Sequence, residues 1–94
     1  MKIRWTRRAT SALTAIRSNI ATDDPVAAQA LWSRVRTYVD TKLADHPMMG
    51  RPGRVKGTRE SVIHPSYILV YRVTGETIEI LTVRHTAQIW PDQF

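Results

Sequence analysis

The segment "YILVYRVTGETIEILTVR", Tyr67–Arg84, constrains the fold more than any other part of the chain. Tyr67–Val73 is nearly continuous apolar and aromatic residues, the pattern of a central strand covered on at least one face. "TGE", Thr74–Glu76, supplies a tight turn, and "TIEILTVR", Thr77–Arg84, reads as the antiparallel return strand. Before it, "TRESVIH", Thr58–His64, is a third strand-like run broken by Pro65. Three consecutive strands need a layer to cover them, and the first half of the chain offers one.

That first half is helical in pattern. Ala9, Ala12, Leu13, Ile16 and Ile20 recur at helical spacing after Thr6, a residue whose hydroxyl suits an N-cap. A second helix has Asp24 as its cap and Pro25 at its first position, where a missing N–H costs nothing. Ala28, Leu31, Trp32, Val35, Tyr38, Val39 and Leu43 form its apolar face, and Pro47 ends it because the preceding residue is pushed out of the α region. The short link makes the pair an antiparallel hairpin. Ahead of both, "KIRWT", Lys2–Thr6, alternates with period two, placing Ile3 and Trp5 on one side and Lys2 and Arg4 on the other. The order β-α-α-β-β-β predicts an α+β fold, with the helical hairpin on one face of a small antiparallel sheet and the first strand beside one of the last three. The aromatic residues Trp5, Trp32, Tyr67 and Tyr71 are expected in the core, Arg7, Arg8, Arg34 and Arg36 in solvent, and Trp90 and Phe94 as pins for the tail.

At 94 residues the chain has the length of a single domain. It has no cysteine, which removes disulfides, thiol nucleophiles and the common zinc modules. "MKIRWTRRAT" lacks the apolar stretch of a signal peptide, and no window approaches a membrane span, so a cytoplasmic protein is expected. The acidic residues form no cluster suited to a metal, and no cofactor motif is present. Gly50, Gly53 and Gly57 lack the strand before and helix after that a phosphate-binding P-loop needs.

The formal charge of +6 implies an anionic partner. Much of that charge is local: "GRPGRVKGTRE" sets Arg51, Arg54, Lys56 and Arg59 around Pro52 and Gly57, with no acid before Glu60. The loop is expected to turn the chain from helices into sheet while displaying these cations. The chemistry left open is plain binding or metal-free RNA cleavage, which needs an acid–base group and positive charge around the phosphate. Arg54, Lys56, Arg59, Arg72, Arg84 and His85 are the candidates. His85 stands where the last strand ends, beside a cation. Its alternative role is a structural hydrogen bond as the chain leaves the sheet; that of Arg72 is a paired or snorkelling side chain.

A helical hairpin, then "DHPMMGRPGRVKGTRESV", then "YILVYRVTGETIEILTVRHTAQIW", closely resembles the RelE/ParE family of toxins from bacterial type II toxin–antitoxin modules. The likeness runs from "IRWTRRATSALTAI" onward, and its most specific parts are "HPMMGRPGR", "VYRV" and "IEILTVRH". It implies a growth-inhibiting toxin held inactive by an antitoxin with an acidic or amphipathic segment. One branch cleaves mRNA on the ribosome; here it would use Arg54, Lys56, Arg59 and Arg84 to hold phosphate and His85 as the acid–base group. The other branch poisons DNA gyrase without a nuclease centre. Ser61 and Ile63 stand where the first branch tends to place arginine, and no tyrosine follows Arg84. The resemblance therefore leans toward gyrase.

Overall fold

A computed structural model describes residues 1–87. Strand β1, Lys2–Trp5, leads into helix α1, Arg7–Ala21, and helix α2, Pro25–Tyr38. Strands β2, Arg51–Pro52, β3, Arg59–His64, β4, Tyr67–Thr74, and β5, Thr77–His85, follow. They form one sheet in the order β1-β5-β4-β3-β2. The expected α+β architecture is present, with two additions. β1 pairs with β5 in parallel, so the sheet is mixed rather than purely antiparallel. The basic loop contributes the short edge strand β2, antiparallel to β3.

Local chemistry accounts for the helix boundaries. The Thr6 hydroxyl accepts the Ala9 N–H at 3.1 Å and also donates to the Ile80 carbonyl at 2.7 Å, so one side chain caps α1 and ties it to β5. Asp24 accepts from the Ala27 N–H at 3.0 Å, ahead of Pro25. Beyond Tyr38 the winding widens into a π-helical turn, Val39–Leu43, then continues through Asp45 and stops before Pro47. Within that turn the Thr41 hydroxyl takes the Thr37 carbonyl at 2.6 Å, competing with the backbone ladder as such back-bonding does.

The helices bury Ala9, Leu13, Leu31, Val35, Val39 and Leu43 against Leu69, Tyr71, Ile78, Ile80 and Val83 of β4 and β5. Trp5, Trp32 and Tyr67 pack at the margin of this core, as expected. Arg36 departs from the expectation of simple solvation: its guanidinium lies 5.2 Å from the Trp5 ring centroid. Cation–π attraction and the cover its stem gives the ring explain the placement. The expected roles of Trp90 and Phe94 fall outside the described residues.

A β-bulge in β5 decides which side chains face where. Tyr71 pairs with Ile80 and Val70 with Thr82, so Leu81 is the extra residue. Ile78 and Ile80 face the helices before the bulge, and Val83 does so after it. The shift turns Arg84, which pairs with Ile68, to the sheet face away from the helices, while His85, paired with Tyr67, faces the helical side. Ile68, Val70 and Leu81 form a separate buried apolar cluster on the face turned away from the helices.

Candidate functional site

The basic segment is a structured loop pinned at both ends. Tyr71, fully buried, accepts the Gly50 N–H at 2.9 Å and donates its own proton to the Pro47 carbonyl at 2.8 Å. Arg59 donates to the Gly50 carbonyl at 2.7 Å and the Met48 carbonyl at 3.2 Å. Burial pushes the Tyr71 hydroxyl above its ordinary pKa, opposed by the Gly50 hydrogen bond. A Cβ on Gly50 would lie 2.5 Å from the Tyr71 oxygen, and one on Gly53 would lie 2.1 Å from the Thr58 hydroxyl. These two glycines are needed for close packing. Of the three loop glycines, Gly57 is the one with a positive φ, 81°, in open space.

Glu60 is the electrostatic centre of the loop. Its side chain is 2% exposed and pairs with Arg51 at 3.1 Å. The other carboxylate oxygen accepts the Arg54 N–H at 2.7 Å and lies 3.6 Å from the Arg54 guanidinium. Two cations and one backbone donor therefore surround one buried carboxylate, the condition under which burying such a charge is tolerable. The Arg51 and Arg54 side chains stay about half exposed, and Lys56 is exposed at the tip. The expectation that all four cations are displayed holds for three. Arg59 pairs with Tyr71 in register, on the helix-facing side, and caps carbonyls there.

A second carboxylate centre stands near the opposite edge of the sheet. Arg4, Glu79 and Arg72 are directly opposed across β1, β5 and β4. Arg72 donates to Glu79 Oε1 from Nε at 3.2 Å and from Nη2 at 3.1 Å, and Arg4 pairs with Glu79 Oε2. The paired reading of Arg72 is what the structure contains. Neither carboxylate's role is legible in the sequence, because an isolated glutamate carries no signal of its cross-strand neighbours.

His85 belongs to a different place. Its ring meets Tyr67 edge-on at 5.4 Å between centroids, and its Nδ1 accepts the Ala87 N–H at 3.0 Å. His64 lies on the other side of Tyr67, 5.3 Å away. His85 opposes Tyr67 on β4, whereas Arg59 opposes Tyr71, so the two are separated by roughly 13 Å along the strand. They also flank β4 on opposite sides. The candidate nuclease group is thus dispersed: Arg54 and Lys56 in the loop, Arg84 on the sheet face away from the helices, Arg59 under the loop, and His85 on the helical side. Ser61 turns inward and receives a 2.8 Å hydrogen bond from the Tyr38 hydroxyl. Ile63 packs at the core margin.

Comparison with known proteins now bears on identity. The family model described as the ParE toxin of the type II toxin–antitoxin system, parDE, matches residues 3–90. The chain belongs to this ParE toxin family. A putative toxin named Y4kP, from Sinorhizobium fredii (strain NBRC 101917 / NGR234), is 48% identical over 91 residues, covering 96% of this chain and 93% of that one. Toxin RelE2 of Caulobacter vibrioides (strain ATCC 19089 / CIP 103742 / CB 15) is 39% identical over 85 residues, covering 90% and 94%. Among solved structures, a chain of the chromosomal ParDE system from P. aeruginosa superposes with a TM-score of 0.78 at 26% identity, covering 90% of this chain and 95% of that one. Membership of the ParE family makes this chain a type II toxin with a cognate antitoxin. Among the described residues no helix is long and apolar enough to cross a membrane.

Proposed function

We propose that this ParE-family toxin inhibits growth by poisoning DNA gyrase, and that its antitoxin neutralises it by covering basic surface with an acidic or amphipathic segment. The observation that carries the reading is the dispersal of the candidate nuclease residues. Metal-free RNA cleavage needs an acid–base group within hydrogen-bond reach of the reacting oxygens, with cations around the same phosphate. His85 is remote from Arg54 and Lys56 and engaged with Ala87 and Tyr67. A protein-directed toxin needs no such convergence. The parDE assignment of the family points the same way.

The test uses purified toxin freed of antitoxin, given gyrase with plasmid DNA and, separately, programmed ribosomes with a defined mRNA. Blocked supercoiling or trapped cleaved DNA is expected, with mRNA intact. Ribosome-dependent cuts with gyrase unaffected would overturn the reading and favour the mRNA interferase alternative. His85→Ala sharpens the contrast: a gyrase poison keeps its activity, whereas a nuclease using His85 as acid or base loses most of its cleavage.

A further inference from the structure

The edge of the sheet beyond β3 is only partly covered by β2. The two strands pair through Arg51 opposite Glu60 and Pro52 opposite Arg59, and Gly53 donates to the Thr58 carbonyl at 2.8 Å. In an antiparallel ladder, residues that bond toward one neighbour alternate with residues that bond toward the other. Thr58 and Glu60 therefore bond toward β2, Arg59 and Ser61 toward β4, and Val62 again toward the edge. β2 does not reach that far. Gly50 is held by the Tyr71 hydroxyl, and the Met49 N–H is spent on the His46 carbonyl. Among the described residues no strand pairs with Val62 on that side. Its N–H and carbonyl stand there as a donor and an acceptor side by side, and the residue is 62% exposed.

The same edge borders a groove of about 480 Å³ between β3 and the winding of α2. Val35, Tyr38, Val62 and Ile63 give it apolar walls, and the Tyr38 hydroxyl is anchored on Ser61 at 2.8 Å, which fixes one of them. Its charged residues are Arg34 and Lys42, both exposed; among the described residues no carboxylate lines it. The two cations are eight residues apart on one winding, roughly 12 Å at helical rise. Carboxylates four residues apart on an extended chain span about the same distance, roughly 13 Å. Met48 and Met49, exposed apolar residues, directly precede the point where β2 joins the sheet.

We propose that the β3 edge at Val62 receives an extended segment of the antitoxin, acidic and apolar in composition, which adds to the sheet as a short strand. The inference rests on the reading that the antitoxin covers basic surface, and it gives that cover a place and a backbone geometry. Main-chain pairing holds such a strand, while its alternate side chains meet the groove. The strand is short because the bulge at Ile63 shifts the register just beyond Val62. Apolar contact in the groove and attraction to Arg34 and Lys42 supply the rest of the affinity. Other occupants fail on one of these features. A nucleic acid has no alternating N–H and C=O to match a strand edge and gains nothing from apolar walls. A second copy paired about Val62 brings another Arg34 and Lys42 into the same space, where like charges repel. An acidic segment without strand character leaves the Val62 groups to water.

Amide hydrogen exchange followed by NMR reads this edge directly. In antitoxin-free toxin the Val62 amide is expected to exchange freely while that of Ser61, bonded toward β4, exchanges slowly. In the toxin–antitoxin complex Val62 is expected to slow by about tenfold or more. The second arm is fluorescence anisotropy with a labelled peptide of alternating glutamate and valine. Val62→Pro deletes the outward N–H and spares the β4 ladder, as prolines on edge strands do. Circular dichroism checks its fold, and Arg34→Gln with Lys42→Gln decides the matter if that fold is lost. Lys2→Gln with Arg7→Gln is the charge-matched control, at exposed positions beside the opposite edge. Both groove variants are expected to bind the peptide about tenfold or more weakly, and the control to match wild type. A Val62 amide already protected in free toxin, or still unprotected in the complex, overturns the proposal. So does equal binding of an N-methylated peptide, displacement of the peptide by duplex DNA, or Val62 protection that grows with toxin concentration alone, the mark of a second copy. Neutralisation that remains salt-sensitive while Val62 stays unprotected sinks only this proposal. Neutralisation indifferent to salt sinks the acidic-cover reading and takes this proposal with it.

Discussion

The Tyr71 hydroxyl receives the Gly50 N–H at 2.9 Å and passes its own proton to the Pro47 carbonyl, locking the exit from the helical layer onto the central strand. Tyr71→Phe leaves both backbone groups without this partner while keeping the ring in the core. The expected cost is about 1–3 kcal/mol. Urea unfolding measures it, with far-UV circular dichroism reporting an unchanged fold; a loss below the error of the extrapolation would show that the loop closes without this bond.

Alkaline pH should expose the same contact. Burial raises the folded-state pKa of Tyr71 above the usual value near 10. The folded protein then holds that proton more tightly than the unfolded chain. The associated stability is complete below about pH 10 and drains away as pH climbs through the higher folded value. Melting temperature followed from pH 8 to 11 should fall more steeply in wild type than in Tyr71→Phe. Parallel curves would remove Tyr71 from the alkaline transition.

Gly50→Ala tests packing rather than hydrogen bonding. The added Cβ meets Tyr71 at 2.5 Å and the Glu60 carbonyl at 2.9 Å, so backbone must shift. A destabilisation of about 1–3 kcal/mol is expected, as for overpacked cores. Gly57→Ala meets nothing and should cost about 1–2 kcal/mol from its positive φ alone. Chemical denaturation of the pair separates crowding from backbone strain; indifference at Gly50 would contradict the close approach.

Glu60 distinguishes charge from shape. Glu60→Gln retains an acceptor for the Arg54 N–H but surrenders the charge between Arg51 and Arg54. Glu60→Ala removes both. Because both arginines are about half exposed, water recovers part of the loss, and Glu60→Ala is expected to cost about 1–3 kcal/mol, with Glu60→Gln milder. Thermal melts at low and high salt provide the comparison. Equal melting temperatures for all three proteins would mean that the loop does not depend on this carboxylate.

Much of the architecture was legible from local signals. Thr6, Asp24 with Pro25, and Pro47 mark helix boundaries through chemistry contained within a few residues, and Gly75, at φ 59°, marks the hairpin turn. The alternation of Lys2–Trp5 revealed its two faces. Its partner strand did not show, because parallel pairing with β5 depends on a contact about 75 residues away in sequence. The candidate site was less readable for the same reason. Arg51, Arg54, Lys56 and Arg59 form one basic run in sequence, yet strand alternation turns Arg59 inward, and two single glutamates organise the arginines around them. The bulge at Leu81, which sets the facing of Arg84 and His85, has no glycine to announce it.

The parallel pairing of β1 with β5 has a consequence for the moment at which a toxic molecule comes into being. β1 is made first, but its hydrogen-bonding partner is the last described strand, so the sheet edge cannot close while the chain is still emerging. Contacts of such sequence separation form late because loop closure precedes any reward. Growing chains pass through synthesis as unfinished sheets, and Arg4 meets Glu79 only when both ends of the described fold come together.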